Sequence, residues 1–192
     1  MNELDTLTIS NTARYFEIAT QSYSKVQQLS SNCDRELKNS PINQERLLKH
    51  AGSVHNEAII TVVFCAMTLE AFVNEYGAKH FSRKFFNNHL DRLSLISKFV
   101  IIPRINNNNA LATDDQHFQD LKWLINLRNE LTHFKTKEIN VRDLDMAYPI
   151  SQKYIITKDH AKKALNTAKN VMSVLDDGKL KVLELHIDSN IE

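Results

Sequence analysis

Glycine and proline are scarce in this sequence, with three of each in 192 residues. That scarcity disfavours a β-sandwich, a glycine-rich phosphate loop or a disordered chain, and points to long helices. Two cysteines, Cys33 and Cys65, are too few for a disulfide framework or a cysteine zinc site, so a reduced, intracellular setting is expected. Excess charge of one sign is missing too: 24 Lys and Arg stand against 23 Asp and Glu, a formal net charge of +1. A whole-protein field that grips nucleic acid or an anionic membrane is therefore excluded, and any such contact must come from a local patch. Met1–Asp5 lacks the basic start and apolar run of a signal peptide. The most apolar stretch, Ala58–Val73, is interrupted by Thr61, Cys65, Thr68 and Glu70. It falls short of the roughly twenty mostly apolar residues of a membrane span, so a buried core helix, no membrane partner and a cytoplasmic location are expected.

What is present is helical periodicity. With 42% hydrophobic residues the chain is long enough for one well-buried core and short for two. Between Ser10 and Asn39, Tyr15, Ala19, Val26, Leu29, Cys33 and Leu37 recur at spacings of three, four or seven. Asn39-Ser-Pro41 ends that helix. A second runs from about Ile42 to Tyr76, one-sided at first and then apolar nearly all round, as in the middle of a bundle, with Gly77 as its C-terminal cap. Arg83–Ile102 reads as a shorter helix stopped by Pro103, and Arg104–Thr113 as an exposed loop. Asp114–Phe134 is a strong helix with acids in its first turn. Thr157 caps a last helix striped by Ala161, Ala164, Leu165, Ala168, Met172 and Leu175 and closed by Gly178. These patterns predict one all-α domain over 1–192, a bundle of four to five helices. Its core is about 10–177, with an irregular insertion at 136–156 and a tail at 180–192. The first two helices, each about 45–50 Å long at 1.5 Å per residue, exceed what a compact domain needs; the surplus is available for a subunit interface.

Two charges sit where apolar residues belong. On a wheel of about 100° per residue, Arg128 falls near the middle of the arc formed by Phe118, Leu121, Leu124, Ile125, Leu131 and Phe134. An always-charged guanidinium aimed at a core needs a partner, unless it snorkels out along the helix. Glu70 repeats the anomaly on the second helix, among Ile59, Val63 and Ala66. The two are natural partners, and a fully buried pair would cost about 3–5 kcal/mol to break by removing Glu70 alone. His133 lies on a polar face beside Asn129, one turn earlier.

At Arg128-Asn129-Glu-Leu-Thr-His133 the sequence resembles the R-polar-x3-H motif of the higher eukaryotes and prokaryotes nucleotide-binding (HEPN) superfamily. Met67–Asn74 and Leu93–Pro103 are similar to what precedes the motif in a group of small bacterial members, and the resemblance covers roughly Ser10–Asp177. It implies a four-to-five-helix bundle that dimerises with two motif copies facing one cleft. Many members are metal-independent RNA-cleaving enzymes of toxin–antitoxin and antiphage systems; others are nucleotide- or partner-binding modules. Carried over, Arg128 and His133 are the catalytic pair and Asn129 the polar residue after the arginine, with no departure at these three positions. The implied partners are an RNA substrate, a second copy and an antitoxin or regulatory protein, and no cofactor is called for.

The residue types suit that chemistry. Histidine titrates near neutrality and serves as acid or base, and a guanidinium offers fork-shaped donors for phosphate oxygens. Lys135, Lys137 and Arg142 after the motif, with Lys158, Lys162 and Lys163 on the last helix, form either a patch for a phosphate backbone or a solvated face balanced by Asp143, Asp145 and Asp159. Trp123 and Tyr148 read as packing residues, with base stacking as the alternative. Glu130 and His133 also make a Glu-x-x-His, but a di-iron bundle needs a second such motif and the chain has none. His50, His55, His80, His89, His117, His160 and His186 form no zinc pattern with cysteine and read as surface residues.

Overall fold

The computed structural model describes residues 11–39, 41–106, 111–133 and 155–175, and among these every regular element is helical. The order is α1 (Thr12–Lys38), α2 (Gln44–His80), one α-helical turn α3 (Arg83–Phe85), a π-helical turn π1 (Phe86–Leu90), α4 (Leu95–Asn106), α5 (Gln116–Thr132) and α6 (Lys158–Leu175). The expected all-α helical bundle is what the chain forms. Phe134–Tyr154 and the residues after Leu175 lie outside the described residues; with them go the basic residues Lys135, Lys137 and Arg142, most of the insertion, Gly178 and the tail.

Local chemistry sets the helix starts. Asn43 Oδ1 accepts from the Arg46 amide at 3.0 Å, and Asp115 Oδ1 accepts from the His117 amide at 2.9 Å. Asp115 thus precedes α5 as its cap rather than sitting in its first turn. At α6 the cap is reciprocal: the His160 amide donates to Thr157 Oγ1 at 3.5 Å, and the Thr157 amide donates to His160 Nδ1 at 3.2 Å. Histidine here takes the place of the usual Glu or Gln of a capping box.

The middle of the bundle is α2. It packs against α1, π1, α4, α5 and α6, and its Cys65, Leu69, Phe72, Val73 and Tyr76 are buried in the shared core. By length and composition α2 would also pass for a membrane span, with 50% of its most apolar window buried inside the bundle. Helix α6 rests against α2, α1 and α5 through Ala161, Ala164, Ala168 and Val171, whose small side chains let the backbones approach closely. Burial pushes the Cys65 thiol far above its ordinary range, outweighing the opposing pull of Lys169.

The surplus helix length lies at one end. At 1.5 Å per residue α1 spans about 40 Å and α2 about 55 Å. Val26 is the last buried residue of α1 and Ala58 the first of α2. The stretches beyond them form a two-helix arm that leaves Leu37, Ile42 and Leu48 exposed.

The region after α2 departs from expectation. Gly77 is not a cap, because α2 continues to His80; it is a buried helical residue facing Phe86. The expected single helix over 83–102 is broken. The Asp91 amide closes the π turn on the Phe86 carbonyl at 3.0 Å, and Ser94 Oγ then caps a new helix by accepting from the Ser97 amide at 3.1 Å. Pro103 does not stop α4 but lies inside it, buried, near its end. Only the last turn follows, and Asn106 Nδ2 anchors that turn by donating to Tyr76 Oη at 2.9 Å.

The contact at Gly77 gives a test. An added Cβ would meet Phe86 Cδ2 at 2.8 Å and Cε2 of the same ring more closely still. Alanine normally gains about 0.5–1 kcal/mol over glycine in a helix, whereas overpacking costs about 1–3 kcal/mol. Gly77→Ala should therefore destabilise the protein in urea unfolding, and Gly77→Ala combined with Phe86→Leu should recover part of the loss. A Gly77→Ala protein more stable than wild type would contradict this packing.

Candidate functional site around Arg128

Helix α5 packs against α2, α4 and α6, and its faces divide accordingly. Leu121, Leu124 and Ile125 are buried, while Leu127 and Leu131 are half-buried against the core. Arg128 belongs to this apolar arc, as its spacing predicts, and its side chain is 21% exposed. Its Nη2 lies 3.3 Å from Glu70 Oε2 on α2, an ion pair that also meets hydrogen-bond geometry. Its Nε is buried and has no hydrogen-bond partner among the described residues. One side of the guanidinium is thus committed to Glu70, while the Nε donor is closed off from solvent.

Glu70 itself corrects the expectation. Its side chain is 48% exposed, so the pair is not a buried one. Ile59 and Val63, its neighbours on the wheel, are half-buried as well. An apolar arc on α2 does not imply complete cover, because α5 crosses only part of that face; Glu70 stands at the rim of the contact and reaches across it. A half-exposed pair is screened by water, and the 3–5 kcal/mol expected of a buried pair does not apply.

The other motif residues lie at the C-terminal end of α5. Asn129 and His133 are exposed. His133 is the C-cap: its amide donates to the Asn129 carbonyl at 2.9 Å, and its backbone has left the helix. The two residues are therefore neighbours through the backbone, and no hydrogen bond joins the Asn129 side chain to the His133 ring among the described residues. Thr132 Oγ1 donates back to the Arg128 carbonyl at 2.9 Å, which helps finish the last turn. In sum, Arg128, Asn129 and His133 share one end of α5 with Glu70 of α2 beside it, and among the described residues the one side-chain hydrogen bond within this set is that of Arg128 to Glu70.

The face of α5 toward α6 holds a different cluster. Lys163 Nζ is 3.0 Å from Asp120 Oδ1 and 4.5 Å from the centroid of the Trp123 ring. His160 stacks on Trp123 at 6.3 Å between centroids, with 17° between planes. Trp123 is thereby engaged with helix α6, in keeping with its reading as a packing residue. A polar cleft of about 380 Å³ opens beside this cluster, lined by Asp120, Asp159, Lys162, Lys163 and Asn166 among others, and it includes none of the motif residues. Lys162 and Lys163 thus stand among carboxylates rather than in a purely basic field.

Several histidines read as surface residues prove half-buried. His55 Nδ1 accepts from the Ile156 amide at 3.1 Å, tying the approach to α6 onto α2. His80 packs on Tyr76 at 4.4 Å between centroids. Imidazole combines an apolar ring with a polar edge, so it suits the margin of a core as well as its surface. Outside the motif, Phe81, Phe85 and His89 recur every four residues; Phe81 stacks on Phe85, and Phe85 meets His89 at a tilt of 48°. That spacing is readable in the sequence. Among the described residues no group of three or more His, Cys, Asp or Glu side chains could hold a metal ion.

Comparison with protein-family models, with curated proteins and with solved structures finds no match to this chain. The reading of the site therefore rests on its residues and their geometry.

The rim position of Glu70 has a measurable consequence. A double-mutant cycle of Glu70→Ala and Arg128→Ala, read by urea unfolding, should give a coupling of about 1 kcal/mol or less. A coupling near 3 kcal/mol would mean that the pair is shielded from water.

Proposed function

We propose that this chain is a HEPN-like, metal-independent endoribonuclease of a bacterial toxin–antitoxin or antiphage system, acting in the cytoplasm. The observation that carries the reading is the held guanidinium: Glu70 orients Arg128 at 3.3 Å, and the next residue, Asn129, and His133 five positions on are both exposed. An arginine held at a core margin by a carboxylate, with part of its side chain still open to solvent, is arranged to meet an anion. The resemblance of the Arg128–His133 segment supplies the anion's identity, the phosphodiester of RNA.

The chemistry needs only these groups. His133 as base takes the proton from the ribose 2′-hydroxyl. The 2′-oxygen attacks phosphorus, the bond to the 5′-oxygen breaks, and that oxygen is protonated as it leaves. The products are a 2′,3′-cyclic phosphate and a 5′-hydroxyl. Arg128 stabilises the charge gathered on the phosphate oxygens in the transition state, and Asn129 offers a further donor. One chain supplies one motif histidine, and a second copy placed with its α5 end across a two-fold axis supplies another for the acid step. Such an interface would bury at least about 1,000 Å². Lys135, Lys137 and Arg142 follow the motif directly and are candidate contacts for the RNA backbone.

A second reading, a non-catalytic module that binds RNA, nucleotide or a protein partner, has its own support. The His133 ring is held by no hydrogen bond among the described residues, whereas a general base is usually oriented by a partner.

The test is incubation of the purified protein with total RNA in EDTA, beside Arg128→Ala and His133→Ala. Cleavage should persist in chelator and fall about 10²–10⁴-fold without the histidine. Light scattering should report a dimer, and mixing the two inactive variants should restore part of the activity. Cleavage that requires magnesium, or survives His133→Ala, rules the mechanism out. A monomer at micromolar concentration removes the shared site and favours the binding module.

A further inference from the structure

We propose that the α3–π1 corner is a docking site for single-stranded RNA, separate from the Arg128 motif, with Phe85 as its base-stacking platform. It rests on the same reading of RNA as ligand but does not depend on cleavage.

The corner joins two features. The first is an aromatic ladder: Phe81 and Phe85 stack at 5.6 Å between centroids with 28° between planes, and Phe85 meets His89 at 5.0 Å. Phe86 and Leu90 turn inward and are buried, which anchors the π turn and leaves Phe85 facing outward, 39% exposed. Phe85 itself lies outside the buried core, held between Phe81 and His89. Its exposed part offers aromatic surface to solvent, and stacking on an aromatic ring accepts any base. Asn87 and Asn88, both exposed beside it, add amide donors and acceptors.

The second feature is charge. Lys79, Arg83, Lys84 and Arg92 lie within fourteen residues that contain one acid, Asp91. That acid is occupied, with Asp91 Oδ1 lying 3.4 Å from the buried Lys98 Nζ. Glu75, one turn before Lys79, pairs with that lysine at 2.7 Å and accepts from Thr12 at 3.1 Å. Arg83, Lys84 and Arg92 are exposed and form no ion pair among the described residues, so their charge is free for an external anion. On a chain of net charge +1 this is a local excess, the kind of patch that a phosphate backbone requires here. Cations beside an exposed stacking ring fit a polyanion with accessible bases. Duplex RNA, whose bases are stacked on one another, cannot use Phe85 in this way. Phe81 follows Glu70 by eleven residues, about 16 Å along the axis of α2, so one strand can reach both the corner and the motif.

The experiment measures binding without turnover. A fluorescent single-stranded RNA about 16 nucleotides long, the upper end of known site sizes, is titrated with full-length Arg128→Ala/His133→Ala protein by anisotropy. Added Phe85→Ala should weaken binding about 10-fold or more, and Phe85→Trp should retain it. Arg83→Glu/Lys84→Glu should reduce the steepness of the salt dependence by at least about 1 in log–log slope. A duplex of the same sequence should bind more weakly. The inference is overturned if no binding occurs, if Phe85→Ala and Arg83→Glu/Lys84→Glu bind like the parent, or if duplex binds as well as single strand. It is equally overturned if anionic phospholipid vesicles bind through this corner and RNA does not. RNA cleavage by wild-type protein with these variants neutral in binding would sink the docking site and leave the ribonuclease reading standing. Phe85-dependent binding by a protein that never cleaves would do the reverse.

Discussion

Burying the apolar stretch of α2 is the constraint around which the other helices are arranged. From Ala58 to Gly77 this helix has no consistently polar face to turn to water, and helices or turns pack on it from several sides. Helix α6 packs against it through an inner face lined by alanines. Where the neighbours end, burial ends as well. The stretch of α2 before Ala58 has α1 beside it and, at His55, the segment that leads into α6; it carries no buried residue and so becomes an arm rather than a core helix.

The same incomplete cover produces the chemistry at Arg128. A guanidinium fully enclosed by the bundle would be a structural ion, expensive to desolvate and closed to ligands. Because α5 crosses α2 without hiding the whole of its face, Glu70 stays half in water while still reaching the guanidinium. The arginine is thus constrained without being consumed. In the proposed ribonuclease this is the balance an anion-stabilising group needs: an orientation set before the substrate arrives, and a side chain still partly open to solvent to meet it.

Close backbone approach shapes the other end of α2. Gly77 admits the Phe86 ring, and that ring fixes which way the π turn faces. Phe85 is then turned outward beside Arg83 and Lys84. A core contact at one residue thereby decides what its neighbour offers to solvent, linking the packing of α2 to the proposed RNA-docking corner.

The sequence by itself determined the all-α class, the central role of α2 and the extent of α1, α5 and α6, since these follow from periodicity and side-chain caps within a few residues of one another. It also placed Arg128 in an apolar arc and paired it with Glu70, because helical spacing converts directly into direction. Depth of burial was not legible there. A wheel shows which way Glu70 points but not how far α5 extends over it, and only tertiary packing decided that the pair lies at a rim. Gly77 and Pro103 show the same limit. Each has a local preference to end a helix, worth at most a few kcal/mol, and each was overridden by long-range contacts, Phe86 against Gly77 and Tyr76 holding the turn after Pro103. Local preference spoke for the elements; contacts between residues distant in the chain settled their ends, their depth and the surfaces they leave free.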